Sequence, residues 1–554
     1  MKKYILNIPR SKIGIATFMV VILASPMIKP LALSQASASI IEVKDGDDLN
    51  AALQKAELGD QVILQAGARF RGPIILPFKP VTETNDRIPW ITIRTSDLSG
   101  LPPVGHRVGP EHAAHMPTIY TRNSYPAVTA ELRAHHYHFV GIEITTTHNK
   151  TYDLVRFGFN ALKGREHATS VDELPEKIVF ERCFLHGNRT GDLRTGITMN
   201  AKSFAIFDSY ISEVHERGAD SQALVGFNSI GPFKIVNNFL EAAGENIMFG
   251  GADPKIDQLV PADILIERNY FFKPLRWKKG HPDYDQYWVV KNSLEFKSAR
   301  RAMVRGNLIE NCWPAGQNGK AVLFTARNQN GGAPWTAVED ITFENNVLKN
   351  INGFLQMGSS GRQGEPTKPL KNIFIRNNLL LNVAPNNSKG TRSFFEIDGN
   401  ENREPTSNVK IEHNVGLFVP GHGKVLMMLG NSGKVIDGLI FEKNIFSSGR
   451  FGVAGAGTTP GIESINKFFR NWTFRDNILI GGIRQQEYPP GNTIVPDIAQ
   501  VGFVDPAQGD FRLQNTSPGQ KLLGTDGVPP GIDLEVLRAW TDGVDQGVPP
   551  GFNR

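Results

Sequence analysis

Glu295 and Lys297 stand two residues apart in the run NSLEFKSARRAMVRGN, residues 292–307. If the run is a strand, both point to one face, and Leu294 and Phe296 point to the other. A carboxylate and an amine sharing a face can move protons. Lysine serves as a base only when burial or nearby positive charge brings its pKa down from ~10.4. Arg300, Arg301 and Arg305 follow at once, and Arg327 closes the similar run AVLFTAR, 321–327. A guanidinium can neutralise a substrate carboxylate and so acidify the proton beside it. Lys297 with Arg327, assisted by Glu295, therefore suits β-elimination on an acidic polymer. Carboxylates recur in FFEID, 394–398, as Glu396 and Asp398, and beside glycine-rich stretches as Asp220 and Glu245, the latter followed by Asn246. Such pairs could act in glycoside hydrolysis or bind calcium. The competing reading is a solvated wall, since exposed strands carry charge to stay soluble and to block edge pairing.

These side chains need a scaffold that brings distant segments together. One pattern recurs: apolar, any, apolar, two mostly polar residues, then a small polar residue, usually Asn. It reads IVFERC (178–183), FAIFDS (204–209), FKIVNN (233–238), ILIERN (264–269), AMVRGN (302–307) and ITFENN (341–346), and continues as IFIRNN (373–378), VKIEHN (409–414), LIFEKN (439–444) and WTFRDN (472–477). YHFVGI (137–142) is a degenerate earlier copy. The copies lie 26 to 39 residues apart, a range that means a solenoid or propeller rather than independent domains. Each opens with period-two alternation, which is strand periodicity. The closing Asn suits a turn where its amide pairs with the backbone or with the Asn of the next coil. The expectation is an all-β solenoid of stacked parallel strands.

A second strand follows each Asn. Aligned, these read GITMNAK, QALVGF, NIMFGG, SLEFKS, AVLFTAR, FLQMGS and FFEID. This register points Ile197, Ile247, Leu294, Phe296, Val322, Phe324, Leu355 and Phe395 inward. It points Thr198, Asn200, Lys202, Met248, Glu295, Lys297, Leu323, Thr325, Arg327, Gln356, Glu396 and Asp398 outward, onto a shallow groove that a long polymer could cross. A slip of one residue would invert the faces.

The repeat resembles the right-handed parallel β-helix of pectin-lyase-like secreted bacterial proteins over roughly residues 40–500. That resemblance implies a helix closing the N-terminal end, for which DDLNAALQKAELGDQVIL (47–64), read as an amphipathic helix followed by a strand, is the candidate. Asp47 or Asp48 is its N-cap, with Leu49, Ala52, Leu53 and Ala56 on one face. GFVDPAQGDFRLQNTSPGQ (502–520) resembles the segment that often ends such proteins, and LEVLRAW (534–540) is a short helix candidate. Locally, KSARRAMVRGN is similar to the Lys-Ser stretch of the chondroitinase B and alginate lyase family, which implies Lys297 as base and Arg327 as its partner. That family carries two alternating glutamates that bind calcium. Here Glu295 stands alone, at another spacing, and calcium is left open.

Residues 1–38 read as a signal peptide, with a basic start, the apolar run Ile13–Ile28 and the small-residue site Ala36-Ser37-Ala38. The five basic residues of this segment account for the whole formal charge of +5. The remainder is neutral and gives no argument for nucleic acid. The expected organisation is a signal peptide (1–38), a β-helix (39–500) and a closing segment (501–554), secreted or periplasmic, monomeric and not inserted in a membrane. Its expected partner is a polysaccharide, and its function is that of a lyase, a non-catalytic binder or a glycoside hydrolase.

Cys183 and Cys312 fall four coils apart, about 19 Å at ~4.8 Å per coil. That is too far for a bridge, so two free buried thiols are expected. Arg300, Trp313 and Trp335 flank the charged strands in the longest repeats and are candidate substrate contacts, with Glu396, Asp398, Glu245, Asn246 and Asp220. The histidines at 106, 112 and 115 and at 135, 136 and 138 lack the spacing of a zinc site, and no metal ligand is assigned.

Overall fold

A computed structural model describes residues 38–548, apart from 82–87, 161–165, 360–364, 386–389, 391, 398–405, 431–434 and 525. The signal-peptide assignment and Asp398 therefore lie outside the described residues. Among the described residues the chain winds through three long parallel sheets of 15, 12 and 14 strands. Each coil contributes one strand to each sheet in turn, and every coil pairs with the next. The recurrent motif forms the 15-stranded sheet, as in Ala299–Arg305 pairing with Val338–Glu344. His135–Val140 joins the same sheet beside Glu176–Glu181, so the degenerate copy is a true coil. The fold is the parallel β-helix that the repeat implied.

The closing Asn of each motif builds a ladder. The backbone N–H of Asn238 donates to Oδ1 of Asn269 (2.9 Å), Asn269 to Asn307 (2.9 Å), Asn307 to Asn346 (2.9 Å) and Asn346 to Asn378 (2.9 Å). The series continues through Asn414, Asn444, Asn477 and Asn492. Each amide also donates back to a carbonyl, as Asn346 Nδ2 does to Val304 (3.0 Å). The residue before each Asn is left-handed: Arg268 at φ 55°, Asn345 at 54° and Asn377 at 52°. This conformation costs ~1–2 kcal/mol for a residue with a Cβ, and the buried ladder beside it offsets that cost. Replacing Asn346 with Ala should leave the Asn307 N–H buried without a partner, at ~1–3 kcal/mol. A lower urea midpoint with an unchanged slope would confirm the ladder's share of stability; an unmoved midpoint would refute it.

The N-terminal helix is Leu49–Lys55, capped by Asp48, whose carboxylate accepts from the Ala51 N–H at 3.1 Å. Leu49 and Leu53 enter the core. After the last parallel strand, Thr493–Val495, comes an antiparallel pair, Phe503–Asp505 with Asp510–Leu513. The helix Leu534–Thr541 then buries Leu534 and Leu537 against Leu379, Val415 and Ile445, on the outside of the 14-stranded sheet. The chain beyond it runs back along the solenoid. Arg268 donates to the carbonyls of Asp542 (2.9 Å) and Val548 (2.6 Å), and Arg107 to that of Val544 (3.0 Å). Cys183 and Cys312 are free and buried, and burial pushes both thiols up to about 12.

Candidate functional site

The inner face of the 12-stranded sheet fixes the register of the charged strand. Ile247, Leu294, Val322, Leu355 and Phe395 align across successive coils, as do Phe249, Phe296 and Phe324. All are fully buried. Phe296 and Phe324 stack with centroids 5.3 Å apart. The opposite face therefore carries Met248, Glu295, Leu323, Gln356 and Glu396 in one row.

That outer row is not a solvated wall. Glu295 is 2% exposed and Lys297 7%. Glu245, Met248 and Asn292 pack against them, and segments between strands of different coils are tied together. Asp253 accepts from the N–H groups of Gln329 (2.7 Å), Asn330 (2.9 Å) and Gly332 (3.0 Å). Trp335 donates its indole N–H to the Leu259 carbonyl at 3.0 Å. Trp335 thus pins two loops together while lining a cleft with His167 and Lys255.

At the centre is a row of alternating charges. Lys291 Nζ lies 2.6 Å from Asp220 and 2.9 Å from Glu245. Glu245, with no exposure, also accepts from the Gln222 amide at 2.8 Å. Burial pushes the Glu245 carboxyl up, but the Lys291 and Lys297 ammonium groups and the Gln222 amide outweigh it and hold it at about 2. Glu295 shifts the other way. Burial raises it, Lys297 opposes, and the charge and shared hydrogen bond of Glu245 push it up again. Within the pair, Glu245 is thus pushed towards its charged form and Glu295 towards its neutral form. Lys297 Nζ is left with two long contacts, 3.4 Å to Glu295 Oε1 and 3.5 Å to the Met248 sulfur.

The other expected site residues divide. Arg327 lies on the next coil, its backbone N–H donating to the Lys297 carbonyl at 2.9 Å. Its Nε is buried without a hydrogen-bond partner. Arg300, Arg301 and Arg305 leave the site, because the chain turns after Ser298 into the 15-stranded sheet. There they face Glu339 (3.4 Å), Asp263 (2.7 Å) and Glu267 (2.7 Å). Lys202 likewise belongs to that sheet and pairs with Glu176 at 2.8 Å. Asn246 points into the coil and donates to the Leu240 carbonyl at 2.6 Å. Asn200 is fully buried and accepts from the Phe227 and Asn228 N–H groups. Trp313 is buried in a cluster with Trp277 and Trp288. Glu396 stands three coils from Glu295, about 14 Å, facing Lys320 at 3.9 Å.

The carboxylates do not fit a calcium site. Calcium takes six to eight oxygen ligands. Here the Lys291 ammonium already sits between Asp220 and Glu245, and Glu295 is hydrogen-bonded to Glu245 and faces Lys297. Among the described residues no group of three or more His, Cys, Asp or Glu could hold a metal ion. Added calcium is expected to leave the thermal midpoint where it is; an upward shift would show a cation site this arrangement excludes. A hydrolytic carboxylate pair fits no better. Glu245 and Glu295 share a hydrogen bond, closer than the ~5 Å or more that glycosidase pairs need. Asp220 and Glu245 share one ammonium and lack a proton donor.

Lys291, unmarked in the sequence, proves central. It lies outside the strand Leu294–Phe296, where no periodicity could give it a face. Beside the charge row a groove continues along the sheet. A hollow of about 280 Å³ is lined by Arg156, Arg194, Thr198, Met248 and Gly250. It adjoins the Trp335 cleft of about 490 Å³ through His167, Phe227 and Ala252.

No family model and no curated protein matches the chain. Among solved structures, the chain is similar to a PL6 family alginate lyase, AlyGC, at a TM-score of 0.51 and 14% identity; the match covers 88% of this chain but only 58% of that one. A mannuronic acid specific polysaccharide family 6 lyase from human gut microbiota matches at a TM-score of 0.47 and 11% identity, over 83% of this chain and 92% of that one. A GH87 α-1,3-glucanase from Streptomyces thermodiastaticus strain HF3-3 matches at 0.45 and 13%, over 84% and 69%. The first of these places the chain in the parallel β-helix fold.

Proposed function

We propose that this chain is an exported polysaccharide-active β-helix protein that cleaves a uronic-acid polymer by β-elimination. The observation that carries the reading is the incomplete pairing of two cationic side chains on adjacent coils. Lys297 Nζ has only long contacts, and Arg327 Nε has no partner. Lys291 is fully engaged, and Asp220 and Glu245 with it. In the proposed reaction Arg327 holds the sugar carboxylate, which acidifies the adjacent proton. Lys297 takes that proton as the general base. The electron pair released becomes the new C=C bond as the glycosidic C–O bond breaks, and the leaving oxygen takes up a proton. Glu295 is pushed towards its neutral form, which weakens its pairing with Lys297. The PL6 alginate lyase shares the fold, which admits this chemistry but hosts others as well.

The second reading, a non-catalytic carbohydrate binder, is favoured by the low exposure of Lys297 and Glu295. Ultraviolet absorbance separates the two. Purified protein is incubated with a panel of uronic-acid polysaccharides, with and without calcium. Rising absorbance from an unsaturated sugar end, equal in both conditions, is the expected result. A flat trace on every polymer, with binding retained, would leave the binder.

A further inference from the structure

Where the 14-stranded sheet gives way to the 12-stranded sheet, the segments 273–293 and 313–319 enclose a cavity of about 580 Å³. Trp277, Trp288 and Trp313 line it, with Tyr287 at its rim. The indoles are rigidly placed. Trp288 stacks on the buried His215 ring at 3.7 Å, and Trp277 meets that ring edge-on at 5.4 Å. Trp277 and Trp288 are 2% and 1% exposed, yet the Nε1 donor of each is buried without a hydrogen-bond partner. These donors are closed off by the packing around them, and the indoles give the cavity a fixed apolar wall.

The charge of the lining is one-sided. Lys278 and Lys279 border the cavity, and no carboxylate does. Its size lies within the range of small-ligand sites, which are apolar with a few placed polar groups. It also adjoins the charge row. Lys291 follows Trp288 by three residues, and the thiol of Cys312, another lining residue, contacts the Lys291 carbonyl at 3.5 Å.

We infer that this cavity is a binding subsite for an anionic sugar residue, which packs against Tyr287 and the cavity-lining edges of the indoles and whose carboxylate meets Lys278 and Lys279. From the function proposed above it takes the class of polymer and not the reaction.

The test uses the full chain carrying Lys297→Met, so that no turnover depletes the probe. Tryptophan fluorescence is titrated with a panel of uronic-acid trisaccharides and with their methyl esters, which keep the rings and remove the charge. The expected result is a saturable change with at least one acid and at least tenfold weaker binding of its ester. In a chain also carrying Lys278→Ala and Lys279→Ala, the acid should weaken tenfold and the ester not at all. No response to any acid, equal binding of acid and ester, or an unaffected double-lysine variant would each overturn the inference. Unsaturated product from the wild-type chain without a fluorescence response would sink the subsite and spare the lyase. A fluorescence response without product would do the reverse.

Discussion

Lys297→Met should lower the rate of unsaturated-product formation by about 10²–10⁴-fold, the range for loss of a positioned acid or base. Methionine keeps most of the packing against Met248 and removes the amine. Because Lys297 makes only long contacts in the resting protein, its loss should weaken folding far less than activity. Arg327→Ala should slow the reaction as well, and if the guanidinium holds the sugar carboxylate the loss should appear in KM as well as in kcat. A Lys297→Met chain with undiminished turnover would remove the proposed base outright. An inactive variant that is also unfolded would fail to separate the roles, so urea midpoints accompany the rates.

The second large effect concerns Lys291. Lys291→Met should cost ~3–5 kcal/mol at neutral pH, the usual consequence of leaving a buried charge unpaired, and the cost should shrink in acid. The Glu245 carboxyl lies at about 2 in the folded protein against an ordinary 4.5. A depressed carboxyl contributes stability that is present above the unfolded value and is lost as pH falls from 4.5 towards 2. Without Lys291, burial dominates and Glu245 is raised. The penalty is then greatest where it must ionise and is relieved as it takes up a proton. Glu295 already behaves in that second way. Its raised carboxyl contributes stability in acid that is lost as pH climbs through its folded value. Urea titrations of both chains at neutral pH and at about pH 4 decide the matter; a Lys291→Met penalty independent of pH would contradict this account of the charge row.

The repeat made the fold legible because it is a physical necessity of stacking. The Asn ladder needs an amide at one place in each coil, and the sequence shows it from Asn238 onward. The first coils, Ile40–Val43, Gln61–Leu64 and Ile91–Thr95, carry no such Asn, and of them only Gln61–Leu64 was legible, as the strand that follows the N-terminal helix. The inward register of Leu294 and Phe296 was readable from period two alone. The burial of Glu295 and Lys297 was not, because the groups packed against them, Glu245, Met248 and Asn292, come from another coil or from outside the strand. The turn after Ser298, which carries Arg300 and Arg301 to another sheet, was hidden because a charged run looks the same on either side of a corner. Lys291 had no periodicity to reveal it.

Linear arrays of coils are ordinarily nearest-neighbour systems: each unit feels only those beside it, and ends fray independently. The segment that returns along the outside of this solenoid breaks that independence. Residues 533–548 hold Asn377 through Asp533, Arg268 through Asp542 and Val548, and Arg107 through Val544. Coils that never touch one another are thereby stitched by a single thread, and that thread is synthesised after every coil it ties. The array can assemble coil by coil, but its middle is fastened only when residues 533–548 arrive. From then on those coils must open together or not at all.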